Sequence, residues 1–123
     1  TPINKKITAE DVFNNVPTWL GFNSTSQAIT GDGSTSSAIE ITNPVTEVNA
    51  TSAAAPCTLA DGANGQIKTI INVSTSGTNA VTITPSNFRG GTSITLDAPG
   101  ETVTLMFKNS NWNIIAGHDF AVA

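Results

Sequence analysis

One histidine, one cysteine and nine carboxylates make up the sparse catalytic inventory of these 123 residues, and their spacing does not assemble a reaction centre. His118 stands beside Asp119, but neighbours on a strand point to opposite faces, so the pair lacks the shared direction of a nucleophile, base and acid set. The acids Glu10, Asp11, Asp32, Glu40, Glu47, Asp61, Asp97, Glu101 and Asp119 are scattered, and none forms an obvious dyad of the kind that cleaves a glycosidic bond. Asp32, between Gly31 and Gly33, lacks the alternating carboxylates of a calcium loop and reads as a plain turn. Cys57 has no second cysteine to pair with and reads as a small buried hydrophobe. Lys68 is the one strand charge to watch, either solvated or meeting a neighbour. The Asn-x-Ser/Thr triplets at Asn23, Asn49 and Asn72 are what chance produces in a chain this rich in those residues. The inventory predicts no enzyme, no metal and no cofactor.

Charged residues make up 11% of the chain, against roughly 25% in an ordinary soluble domain. Ser, Thr, Asn and Gly stand where Lys and Glu usually do, so the expected surface is polar but hardly ionised. A net charge of -4 with few, scattered cations argues against nucleic acid as a partner, because releasing counterions from phosphates takes clustered Lys and Arg. No apolar run is long enough to cross a bilayer, and no basic stretch leads into an apolar one at the start. No membrane partner is expected.

The elements that must position these residues divide the chain. Residues 1–22 read as an N-terminal arm in which Ala9 to Asn15 predict a short helix, stopped before Pro17. The arm's Phe13, Val16, Trp19, Leu20 and Phe22 are too many large side chains for so small a piece and are expected to dock on a partner or on their own domain. Residues 23–37 read as a loop with a short strand near Gln27 to Thr30, residues 38–117 as the β domain and residues 118–123 as a tail.

In the β domain the hydrophobic period becomes two. Short strands are expected over Ala38 to Thr42, Val45 to Asn49 and Cys57 to Ala60, followed by Gln66 to Val73, where Ile67, Thr69, Ile71 and Val73 share one face and Lys68, Ile70 and Asn72 the other. Val81 and Ile83, then Ile94 and Leu96, then Val103, Leu105 and Phe107 each line one face of later strands. A final hairpin strand points Trp112, Ile114 and Ala116 inward. Gly, Pro, Asn and Asp turns separate all of these. The pattern predicts an all-β fold: a small antiparallel sandwich or barrel-like domain of about seven or eight short strands. Few charges guard the sheet edges, so self-association is expected, with a cyclic homotrimer as first choice.

Two stretches, TLADGANGQIKTI (Thr58 to Ile70) and ITPSNFRGGTSITLDAPGETVTLMFKNSNWNIIAG (Ile83 to Gly117), resemble a module of virion structural proteins in tailed bacteriophages. The shared features are the Leu59 to Gly62 turn, the Gly65 to Lys68 strand opening, the Thr84-Pro85 turn, the Gly90 to Thr92 strand entry, the Val103 to Phe107 strand and Trp112. The resemblance spans about half the chain and implies a decoration (cement) subunit on the capsid surface, made in the host cytoplasm, trimeric and bound to the major capsid protein. The alternative it leaves open is a head- or tail-fibre module with a carbohydrate- or receptor-binding role.

Overall fold

A computed structural model of the protein describes residues 26–123. Among these residues are ten strands and no helix: β1 (Gln27–Gly31), β2 (Ser37–Ile39), β3 (Val45–Ala50), β4 (Ala54–Leu59), β5 (Ile67–Asn72), β6 (Ala80–Pro85), β7 (Ile94–Leu96), β8 (Thr102–Lys108), β9 (Asn111–His118) and β10 (Ala121–Val122). The expected arm and its helix, residues 1–22, lie outside the described part.

The strands form two five-stranded sheets, one in the order β1-β3-β5-β8-β9 and the other in the order β10-β7-β6-β4-β2. From β1 to β6 the chain changes sheet at every connection. Each sheet therefore grows by parallel additions, β1 beside β3 beside β5 and β2 beside β4 beside β6. After β6 the pairing turns antiparallel, with β7 and β10 completing one sheet and the β8–β9 hairpin the other. The architecture is all-β, but mixed rather than antiparallel, and it has more strands than expected. Period-two alternation is common to both pairing modes, so it cannot choose between them. What decides is that turns such as residues 32–36 and 40–44 carry the chain across the sandwich instead of back along the same sheet. Each intervening strand in the opposite sheet then serves as the long crossover that parallel neighbours require.

The core lies between the sheets. Ile29, Val48, Ala50, Ile70, Val103, Leu105, Phe107 and Trp112 from the first sheet meet Ile39, Ala55, Cys57, Leu59, Val81, Ile83, Ile94 and Leu96 from the second. The two sheets pack tightly where β1 meets β4: a Cβ on Gly31 would stand 2.8 Å from the Cβ of Ala55. Pro56 sits inside β4 although its ring nitrogen has no hydrogen to donate. The backbone explains it. Ala53 and Leu59 give their carbonyls to Ala80 and Ser86 on the β6 side, so by alternation Pro56 turns its donorless nitrogen toward β2, whose ladder begins only at Cys57.

Midway along the β8–β9 hairpin a bulge between Thr104 and Leu105 shifts the pairing, so that Leu105 faces Ile114 while Thr104 faces Ala116. Ile114 accordingly packs on the core, whereas Ala116, expected inward, is exposed. The C-terminal tail folds back as β10, and Ala123 exchanges backbone hydrogen bonds with Thr92 and Ser93.

Candidate docking face

β5 is a central strand of the first sheet, and its two faces carry opposite chemistry. Lys68, Ile70 and Asn72 turn inward and are wholly buried, while Ile67 and Val73 turn outward and are each 40% exposed, with Thr69 and Ile71 half-buried between them. The inward choice puts a lysine and an amide in the sandwich and leaves a column of aliphatic side chains outside. Neighbouring strands extend that column. Met106 lies opposite Ile67, Val45 and Thr104 flank Thr69, and Glu47 and Thr102 flank Ile71. The Thr69 and Thr104 hydroxyls hydrogen-bond across the ladder at 3.0 Å. Glu47 is the one carboxylate in this array, and it accepts a hydrogen bond from the Ser26 hydroxyl at 2.9 Å. Asn49, farther along β3, has a buried Oδ1 with no hydrogen-bond partner among the described residues. The face is thus aliphatic and hydroxyl-rich, and exposed apolar patches mark contact sites.

Polar side chains lock both ends of the sandwich behind this face. At one end the Lys68 ammonium donates to the carbonyls of Glu40 (2.7 Å) and Asn43 (2.5 Å), and Gln66 donates to the carbonyl of Ile41. Gln27 reaches the same crossover from β1, accepting from the Glu40 amide and donating to the Ala38 carbonyl. Burial pushes the Lys68 amine down from its ordinary 10.5 to about 8, with the nearby Glu40 carboxylate opposing the fall. At the other end Asn72 donates to the carbonyls of Asn79 and Leu96 and accepts from the Ser74 amide. Ser74 in turn accepts from the Ala50 amide, and Asn79 donates to the Ala50 carbonyl at 2.7 Å. These groups join β3, β5, β6 and β7 through their ends, which satisfies polar atoms that burial would otherwise penalise.

The residues singled out for chemistry are kept apart. His118 and Asp119 approach to 3.2 Å, but at the rim and with their side chains 70% and 72% exposed. Asp32 is a turn residue: the Ser34 hydroxyl (2.6 Å) and amide (2.9 Å) both donate to it and hold its carboxyl below the usual range. Cys57 is buried, and desolvation raises its thiol to about 11. Trp112 is buried too, its Nε1 donating to the Ala60 carbonyl at 2.9 Å, so its ring offers no platform for a sugar. Among the described residues there is no pocket and no group of three metal-ligating side chains.

The structure therefore gathers Val81, Ile83, Ile94, Leu96, Val103, Leu105, Phe107 and Trp112 in the core with Ile114 packed against it, and places Ile67, Ile71 and Val73 on the outer face. Phe13, Val16, Trp19, Leu20 and Phe22 lie outside the described residues. Sequence reasoning missed the polar locks because Gln27, Gln66, Asn72 and Asn79 look like ordinary turn and strand polars until the crossovers bring them together. No protein-family model and no curated protein matches the chain.

Proposed function

We propose that this protein is a self-associating structural subunit of a tailed-phage particle, a decoration protein that assembles as a homotrimer and binds the major capsid protein at the capsid surface. The observation that carries the reading is the outer face of β5, where Ile67, Ile71 and Val73 form an aliphatic column beside Val45 and Met106. Cover by a second protein surface removes that column from water, at about 25 cal/mol for each Å² of apolar area. The low charge of the chain supports the same reading, because few ionised side chains stand in the way of close contact between copies. The resemblance of Thr58 to Ile70 and Ile83 to Gly117 to virion modules supplies the setting.

The test pairs native mass measurement of the purified chain with co-sedimentation on empty phage shells. A homotrimer that sediments with shells supports the proposal. A chain that stays monomeric at high concentration and leaves the shells bare refutes it.

A further inference from the structure

The stacking of the strands leaves the two ends of the sandwich unequally finished. From β1 to β6 the chain winds in successive circuits, each passing through both sheets: Gln27 lies beside Thr46, 19 residues on, and Val45 beside Thr69, 24 residues on. After the last circuit the stack is closed. The strands β7 to β10 add antiparallel, a bulge at Ile115 breaks the regular edge of β9, and the 87–89 segment exchanges backbone hydrogen bonds with Trp112.

At the first circuit the stack simply stops. β1 and β2 are the edge strands of their sheets, and among the described residues no strand pairs with their outer sides. The Gln27 side chain bridges the two, donating to the Ala38 carbonyl and accepting from the Glu40 amide, so the two edges lie together. Gly31 gives its carbonyl to the Thr51 amide on the β3 side; by alternation Ala28 and Thr30 hold their backbone groups toward the unpaired side. Ile29 and Ile39 are the last core side chains at that end. A stack of this kind needs a terminal element over its edge, or copies join there.

We propose that residues 1–25 of the same chain are that element and lie across the β1–β2 end. The segment is delivered to the right place, because Ser26, where it enters β1, is pinned to Glu47 of β3 by its hydroxyl at 2.9 Å. Its 25 residues match the length of one circuit, and Phe13, Val16, Trp19, Leu20 and Phe22 supply the apolar surface. Asn49, beside Thr30 of the edge strand, has a buried Oδ1 with no donor among the described residues, and a segment passing along β1 can supply one. The tether at Ser26 favours the chain's own segment over that of a second copy, since it makes the contact intramolecular. So placed, the segment is a stop: copies cannot join edge to edge into open-ended stacks. The proposal is independent of association through the outer face of β5.

Trp19 reports on the contact in the full chain. In Trp112→Phe it is the only tryptophan. Its emission should be blue-shifted and poorly quenched by acrylamide at dilutions where native mass measurement finds monomers. Emission typical of water overturns the proposal, and so does shielding that appears only as copies assemble, since the occupant is then a second copy. Hydrogen exchange supplies a measurement that leaves Trp112 in place. Peptides covering β1 and β2 should exchange at least about tenfold faster in the double variant Trp19→Asp, Phe22→Asp than in wild type, because an uncovered edge opens at little cost, while β5 and β8 keep their rates. Equal rates at β1 and β2 in the two chains overturn the proposal, whatever the oligomeric state.

Discussion

The rings of Phe107 and Trp112 meet edge to face, centroids 5.2 Å apart and planes at 69°, directly across the β8–β9 ladder. Such a pair adds about 0.5–1.5 kcal/mol beyond the area it buries. Trp112 also caps the turn after β4 through its bond to the Ala60 carbonyl. Trp112→Ala should therefore lower stability in urea unfolding by about 3–5 kcal/mol. Trp112→Phe keeps most of the packing but strands the Ala60 carbonyl, and should cost about 1–3 kcal/mol. A loss under about 1 kcal/mol for the alanine variant would show that the hairpin is not the keystone of that end.

Asn72 carries the opposite end. Its amide makes two donor bonds and its oxygen accepts a third, all to backbone groups of the β5–β6 connection and β7. Asn72→Leu is close in volume yet leaves two buried carbonyls and one amide unpaired, at about 1–3 kcal/mol for each group stranded. The variant should unfold well before wild type in urea. Asn72→Asp should behave almost as badly, because a carboxylate cannot donate to the Asn79 and Leu96 carbonyls. Equal stability of wild type and Asn72→Leu would mean that water replaces the network.

How much of this was legible beforehand differs by element. The inward columns Val103-Leu105-Phe107 and Ile94-Leu96 follow from alternation, since the opposite faces are mostly Thr, with Met106 the one large apolar exception. For β5 alternation was ambiguous. Ile67, Ile71 and Val73 make the more apolar face, yet the fold buries Lys68 and Asn72 because Lys68 reaches carbonyls of the distant 40–44 crossover and Asn72 those of the β5–β6 connection and β7. Parallel pairing was hidden for a related reason. Gly-rich turns such as Gly31-Asp32-Gly33 look the same whether the chain doubles back in its own sheet or steps across to the other one.

Lys68 makes stability depend on pH in a defined direction. Its amine is held at about 8 in the folded chain against 10.5 when exposed, so between those values the unfolded chain binds more protons. Stability should thus rise as pH climbs from about 8 to about 10.5, with the full penalty of burying the ammonium present below that window. The measurement is made on the wild-type chain. Its thermal midpoint should climb across the window relative to Lys68→Met. Parallel pH profiles for the two chains would place the amine in water instead.

Cys57 should be inert in the folded protein. Burial raises its thiol to about 11, so at pH 8 it is a protonated thiol without solvent access. A thiol-reactive dye should label the chain only after denaturant is added. Prompt labelling of native protein would require β4 to open far more readily than an interior strand of the second sheet should.

The outer face of β5 yields the sharpest separation between folding and assembly. Ile67 and Val73 are each 40% exposed, so a lysine at either position can extend into water without disturbing the core. Ile67→Lys and Val73→Lys should each keep the thermal midpoint within a few degrees of wild type, the range expected of surface substitutions. In the assembled state the same side chain would be driven into an apolar contact, where an unpaired ammonium costs several kcal/mol. Each copy would bring its own lysine to a symmetric interface, so like charges would also face one another. If the proposed homotrimer forms through this face, native mass measurement should find both variants monomeric at concentrations where wild type assembles. Thr58→Lys supplies the control: Thr58 is exposed on the outer face of the second sheet, and its variant should assemble normally. If both outer-face variants assemble as wild type does while Thr58→Lys dissociates, the contact belongs to the opposite sheet.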